Sequence, residues 1–202
     1  HDHRGHGKSV KNPDDLGYMY GGGAEAMLQD IGTVNKEIHR HFPDLPVILF
    51  GHSMGSLAVR AFAAEHDDCI DMLICGSPSE NKARPLGKAI ACVEGRILGA
   101  HHKSKLLEAM SLGAYAMKFR GEGNRNSWIC SDPEVYKAYT ESDLCGFTFT
   151  DDAYIALFDL MKKAYDVHRW TCTRPKMPVL FISGAEDPCL GNVRKFAGAV
   201  HA

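Results

Sequence analysis

Apolar residues recur along this chain with two different periods. Between Ala24 and His41 they fall at Ala26, Met27, Ile31, Val34 and Ile38, spacings of three and four that place them on one face of a helix. Pro43 and Pro46 end that helix, and Val47-Ile48-Leu49-Phe50 follows as an unbroken apolar run that reads as a buried strand. Ser56 to Glu65 returns to a helical, Ala-rich composition. Ile70-Asp71-Met72-Leu73-Ile74-Cys75 reads as a second strand, closed by Gly76-Ser77-Pro78, and Pro178 to Ser183 as a third. Strands alternating with helices predict an α/β protein with a parallel sheet and crossover helices.

From about 78 to 170 the pattern is almost purely helical. Leu86–Leu98 and Lys105–Phe119 are apolar on one face, and Asp151–Tyr165 is a further helix. Ser131-Asp132-Pro133-Glu134 marks a helix start, with Ser131 and Glu134 at capping-box spacing and Pro133 in the first turn. Gly121 to Ser127 reads as a solvated loop that includes Arg125 and Asn126. Residues 1–23 are polar and Gly-rich, hence loop. The expected organisation is an α/β core from 1–77 and 171–202, incomplete at both ends, with a helical lid inserted at 78–170.

Composition narrows the partners. The chain has 202 residues, 45% of them hydrophobic, enough for a sizeable core. A net charge of −2 gives no reason to expect nucleic acid as a partner. No apolar run is long enough to span a bilayer, and the N-terminus has no apolar stretch of the signal-peptide kind. The seven cysteines are scattered, odd in number and never spaced C-x-x-C, which suits free thiols in a reducing cytoplasm. The chain opens without Met and closes on a helix-like run, Val193 to Val200, that nothing terminates. It reads as an internal piece of a longer protein.

The candidate chemistry sits at Gly51-His52-Ser53-Met54-Gly55, directly after the first strand and before a helix. G-x-S-x-G in this setting is a nucleophile elbow. The tight turn exposes the serine Oγ, the flanking glycines leave room for strand and helix, and Met54 N–H lies at the helix N-terminus, where an oxyanion can be held. Such a serine needs a base and an acid. Asp187, just after the third strand, is the best acid, since Ser-Asp-His is the chain order this architecture uses. None of the eleven histidines fits the base: all precede Asp187 except His201, which is separated from it by too little chain to hold another strand. The expected base lies beyond residue 202. His1, His3 and His6 invite a metal reading, but a Gly-rich loop without supporting partners makes a functional site the weaker account. Tyr20-Gly21-Gly22-Gly23 is read as connection.

Together these residues resemble the α/β-hydrolase fold, and within it the monoacylglycerol lipase, lysophospholipase and serine aminopeptidase group. Asp2-His3-Arg4-Gly5-His6-Gly7-Lys8-Ser9 looks like that group's D-x-R-G-H-G-x-S loop. Gly51 to Gly55 looks like its elbow, and Gly184-Ala185-Glu186-Asp187-Pro188 like its G-x-x-D-P acid loop. The resemblance implies a Ser53–Asp187–His triad with Met54 N–H as one oxyanion donor. The group's first strands, its upstream oxyanion loop and its closing G-x-x-H are not in this sequence, so the chain as it stands is expected to be inactive. A sheet left short in this way should have exposed edges and poor solubility.

The expected function is hydrolysis of carboxylic esters with apolar acyl groups, monoacylglycerol or lysophospholipid among them, through an acyl-Ser53 intermediate. Leu106, Leu107, Met110, Tyr115, Met117 and Phe119 suit a greasy group, although packing of the lid accounts for each equally well. Transient contact of the lid with a membrane surface fits the same reading. An aminopeptidase is the alternative, for which Glu94, Glu108, Glu122 and Glu141 are available to hold an ammonium. A non-catalytic binding module is the third reading. Dehalogenation is disfavoured, because its elbow nucleophile is Asp. The chemistry needs side chains and water, so no cofactor or metal is implied.

Overall fold

The computed structural model describes residues 1–77, 84–189 and 197–198. In chain order the elements are α1 (Gly23–His41), β1 (Ile48–His52), α2 (Met54–His66), β2 (Met72–Gly76), α3 (Arg84–Leu98), α4 (Lys105–Glu108), α5 (Ala114–Lys118), α6 (Pro133–Glu141), α7 (Asp151–Ala164) and β3 (Val179–Ile182). The chain divides into two compact units. One comprises His1, Gly22–Lys82 and Leu157–Ala202, the other Asp2–Gly21 and Ala83–Ala156.

The first unit holds a three-stranded parallel sheet in the order β1-β2-β3. Its register pairs Phe50 with Ile74 and Ile74 with Leu180, and ends with His52 beside Gly76 and Gly76 beside Ile182. All three strands therefore finish at one edge. Side chains alternate between the two faces. Gly51, Leu73 and Cys75 lie on the covered face and are buried. Helix α2 packs on β1 and β2, and α1, which buries Met27, Leu28 and Ile31, packs on α2. The other face carries Ile48, Phe50, Leu180 and Ile182, which are 56%, 61%, 45% and 56% exposed. The first strand is thus covered on one face only, where its continuous apolar run suggested burial throughout.

Helix α2 is buried from Ser56 to Ala64 and carries a fully buried Arg60. Arg60 Nε donates to Ser56 O at 3.2 Å, and the guanidinium lies 4.5 Å from the centre of the Tyr165 ring. A hydrogen-bonded arginine stacked on an aromatic ring can tolerate such a site. At the far end of α2, Asp67 accepts bonds from Thr171 Oγ1 (3.1 Å), Arg174 N (3.0 Å) and Thr173 Oγ1. These bonds fasten the segment leading into β3.

The second unit is helical. Lys105–Lys118 begins and ends as α-helix, but Ala109–Gly113 between α4 and α5 is a π-turn. Helix α6 starts one residue later than a Ser131 cap would give. Asp132 is the cap and accepts Glu134 N at 2.9 Å, with Pro133 in the first turn. The loop near 125 is not simply solvated. Asn126 is 8% exposed and donates to Thr140 Oγ1 at 3.1 Å, while exposed Arg125 donates to Gly146 O at 3.0 Å. The N-terminal loop belongs to this unit: Gly17 N donates to Gly5 O at 2.8 Å, Thr150 N to Gly17 O at 3.0 Å, and both Met19 N and Gly21 N to Asp152 Oδ2 at 3.1 Å. Among the described residues no helix is long and apolar enough to cross a membrane.

Candidate active site

Ser53 occupies the turn between β1 and α2 with φ 53° and ψ −118°. A non-glycine residue at positive φ outside a left-handed helical well is strained and persists only where its surroundings over-determine it. Here Ser53 N donates to Gly76 O at 2.9 Å, and Ser53 O accepts Ser56 N at 3.0 Å. The backbone is clamped between the end of β2 and the start of α2, and the side chain is exposed. Met54 opens α2, so its N–H is one of the groups a helix leaves without an intrahelical partner.

The two glycines of the elbow are not equivalent. A Cβ on Gly51 would lie 2.3 Å from Gly55 O and 2.8 Å from Ser56 N, contacts that backbone cannot yield. Nothing among the described residues lies within 4 Å of a Cβ on Gly55. The steric need for glycine on both sides of the turn holds for Gly51 alone.

Asp187 follows β3 by a short loop and is half-buried. Its Oδ1 accepts Cys189 N at 2.7 Å and its Oδ2 accepts Ser183 Oγ at 3.2 Å. The first contact is the side-chain-to-backbone turn typical of Asp in loops. Together the bonds fix the carboxylate's position. Ser77 N donates to Ile182 O at 3.0 Å, and Ser77 is itself at φ 46°. Given the register, Ser53, Ser77 and Ser183 each follow the last paired residue of their strand, level with one another at the carboxyl edge. Ser53 and Asp187 share that edge, separated by the width of β2. Strands lie about 4.8 Å apart, so β1 and β3 stand roughly 10 Å apart, room for an imidazole between them.

Among the described residues no histidine hydrogen-bonds Ser53 Oγ or the Asp187 carboxylate. His39 Nε2 is on Cys69 O at 2.9 Å. The His66 ring lies 4.8 Å from that of Phe62, and the His101 ring 4.0 Å from that of Tyr18. His102 meets Asp151. His201 lies outside the described residues. His6 is structural: its Nδ1 bonds Arg4 O at 3.0 Å and its ring meets Phe147 and Phe149 edge-on at 5.3 and 5.6 Å. Burial lowers its pKa, partly offset by the Arg4 carbonyl and the charge of Asp2. In the same loop Asp2 Oδ2 accepts Lys8 N at 2.8 Å, and a Cβ on Gly7 would come within 2.3 Å of that oxygen. Tyr20 has φ 58°, and its hydroxyl donates to Asp15 Oδ2 at 3.0 Å in the connection before α1.

The apolar residues of the helical unit divide. Leu107 is core at 1% exposure and Tyr115 packs on Trp128 at 5.2 Å, whereas Leu106, Met110 and Met117 are exposed. Of the acidic candidates, Glu108 accepts Thr148 Oγ1 at 2.7 Å, Glu94 is half-buried near Asp151, and Glu122 and Glu141 are exposed. Arg60 and Asn126 are two of the buried polar groups that sequence reasoning missed. Their partners, Tyr165 and Thr140, are set by tertiary packing and leave no local signal.

A parallel sheet with an exposed, strained serine at a strand–helix turn, and an acid at the same edge, defines the α/β-hydrolase class. Over residues 1–198 the chain matches the model of the Hydrolase_4 family, serine aminopeptidase S33, and it belongs to that family. Solved structures share the fold. A highly thermostable carboxyl esterase from Bacillus coagulans, in complex with glycerol, superposes with a TM-score of 0.79 at 21% identity, over 98% of this chain and 66% of that one. A lipase in its open form gives 0.83 at 21% identity with the same coverages. The monoacylglycerol lipase of Paleococcus ferrophilus gives 0.58 at 20% identity, over 98% of this chain and 81% of that one. The chain therefore spans just under two thirds of the length of the first two.

Proposed function

We propose that the protein is a serine hydrolase of carboxylic esters, with Ser53 as nucleophile and Asp187 as the acid that orients a histidine base. The observation that carries this reading is the backbone of Ser53. A strained, exposed serine between a strand and a helix N-terminus is costly to fold, and its use is to present Oγ to a substrate. In the proposed cycle the base takes the Oγ proton as Oγ attacks the ester carbonyl. Met54 N–H donates to the oxyanion, the alcohol leaves with the proton, and water releases the acid from acyl-Ser53. The histidine is not supplied by the described residues.

Monoacylglycerol-like or lysophospholipid-like esters are the proposed substrates. The exposed Leu106, Met110 and Met117 of the helical segment support an apolar acyl chain. The natural gene product should hydrolyse a medium-chain aryl ester, and Ser53→Ala should reduce turnover by at least about 10³-fold. A fluorophosphonate probe should label the wild type and not the variant. Turnover retained by Ser53→Ala would overturn the assignment. The family description supports aminopeptidase activity as a second reading. An aminoacyl arylamide assayed beside the ester separates the two, and preference for the arylamide would favour the peptidase.

A further inference from the structure

The helical unit holds a second cluster of titratable side chains, remote in sequence from the elbow. Glu94 on α3, His102 in the loop after it and Asp151 at the start of α7 each bring one donor atom to within 4.8 Å of the other two. His102 Nδ1 lies 2.8 Å from Asp151 Oδ2. The Asp151 side chain is 1% exposed, and that of His102 30%. Asp151 Oδ1 and Glu94 Oε2 are both buried without a hydrogen-bond partner among the described residues. The ion pairs of those residues bring neither lysine nor arginine to either carboxylate.

Two carboxylates buried together with orphan oxygens are an unstable combination unless a positive charge joins them. One imidazole can offset at most one of the two charges. The donor set, one imidazole nitrogen and two carboxylate oxygens, is that of a borderline cation. Ligand atoms about 2.0–2.1 Å from a tetrahedral zinc stand about 3.3 Å apart. His102 Nδ1 and Asp151 Oδ2 stand 2.8 Å apart and the whole set lies within 4.8 Å, so modest side-chain rotation would bring the three atoms to that spacing.

We propose that Glu94, His102 and Asp151 form a structural zinc site that ties α3 to the start of α7, with water completing the coordination. Gly95 allows the approach: a Cβ there would already stand 3.4 Å from Asp151 Cβ. The site uses none of the residues assigned to ester hydrolysis, and its test does not read activity.

Zinc chloride titrated calorimetrically into the reduced, metal-free protein near neutral pH should bind saturably and raise the melting temperature. Glu94→Gln and His102→Ala should each weaken that binding by more than about tenfold, while a His1→Ala, His3→Ala variant should not. Cobalt in the same site should give visible bands of nitrogen and oxygen ligation without a thiolate charge-transfer band. Absence of saturable zinc binding would overturn the proposal and leave a proton shared between the carboxylates as the joining charge. Binding that survives Glu94→Gln and His102→Ala, or a cobalt–thiolate band, would overturn it in favour of the N-terminal histidines or a cysteine.

Discussion

Single residues carry the elbow, and they do so unequally. Gly51 is required by contact: its missing Cβ is where Gly55 O sits, 2.3 Å away. Gly55 faces no such obstacle among the described residues. Gly51→Ala should therefore cost about 3 kcal/mol or prevent folding, through displacement of backbone. Gly55→Ala should change stability by no more than about 1 kcal/mol, since alanine favours the helix in whose first turn it lies. Urea unfolding of both variants measures the difference, and equal costs would contradict it. The strand-end positions of Ser53 and Asp187 were legible in the sequence, because each lies in a short motif whose strand context is local. That Asp187 also closes a turn on Cys189 is set by the loop after β3.

Between elements, the hydrogen bonds to Asp67 link the end of α2 to the segment entering β3. Burial is the largest influence on this carboxyl and pushes its pKa up. The donors Thr173, Arg174 N and Thr171 together outweigh burial and hold it below the usual aspartate range. A depressed native pKa means the unfolded chain binds the proton more readily. The stabilisation is present above the ordinary aspartate pKa and is lost as pH falls through the native one. Asp67→Ala should cost about 2–3 kcal/mol at neutral pH, and the gap to wild type should narrow in acid. Denaturation of both proteins at neutral and acid pH tests this; a gap independent of pH would count against it. Helix positions were readable from periodicity, Ala-rich composition or capping signals, and every predicted helix outside 193–200 is present. The α6 cap was misplaced by one residue because Ser131 and Asp132 both suit the role and only the backbone path chooses between them. The π-turn at Ala109–Gly113 left no mark in the apolar pattern.

At the scale of the whole chain, the sheet of the first unit presents one apolar face to solvent, with Ile48, Phe50, Leu180 and Ile182 exposed. A contiguous patch of this kind promotes self-association. Phe50→Ser with Ile182→Ser should lower binding of an apolar dye and reduce aggregation seen by sedimentation, with the fold intact by circular dichroism. Leu73→Ser, on the covered face at 0% exposure, should unfold the protein. If the surface pair unfolded it as readily, the exposed face would be misassigned. The sequence by itself determined the α/β alternation, the elbow, the acid loop and the family resemblance, because each rests on spacing within a few residues or on one element's periodicity. Tertiary structure alone decided which sheet face is covered, since an apolar run reads the same whether one face is packed or two. It alone brought Tyr165 to Arg60, Thr140 to Asn126, and Glu94, His102 and Asp151 to one another. Those residues meet because helices pack, and packing partners distant in sequence leave no local pattern to read.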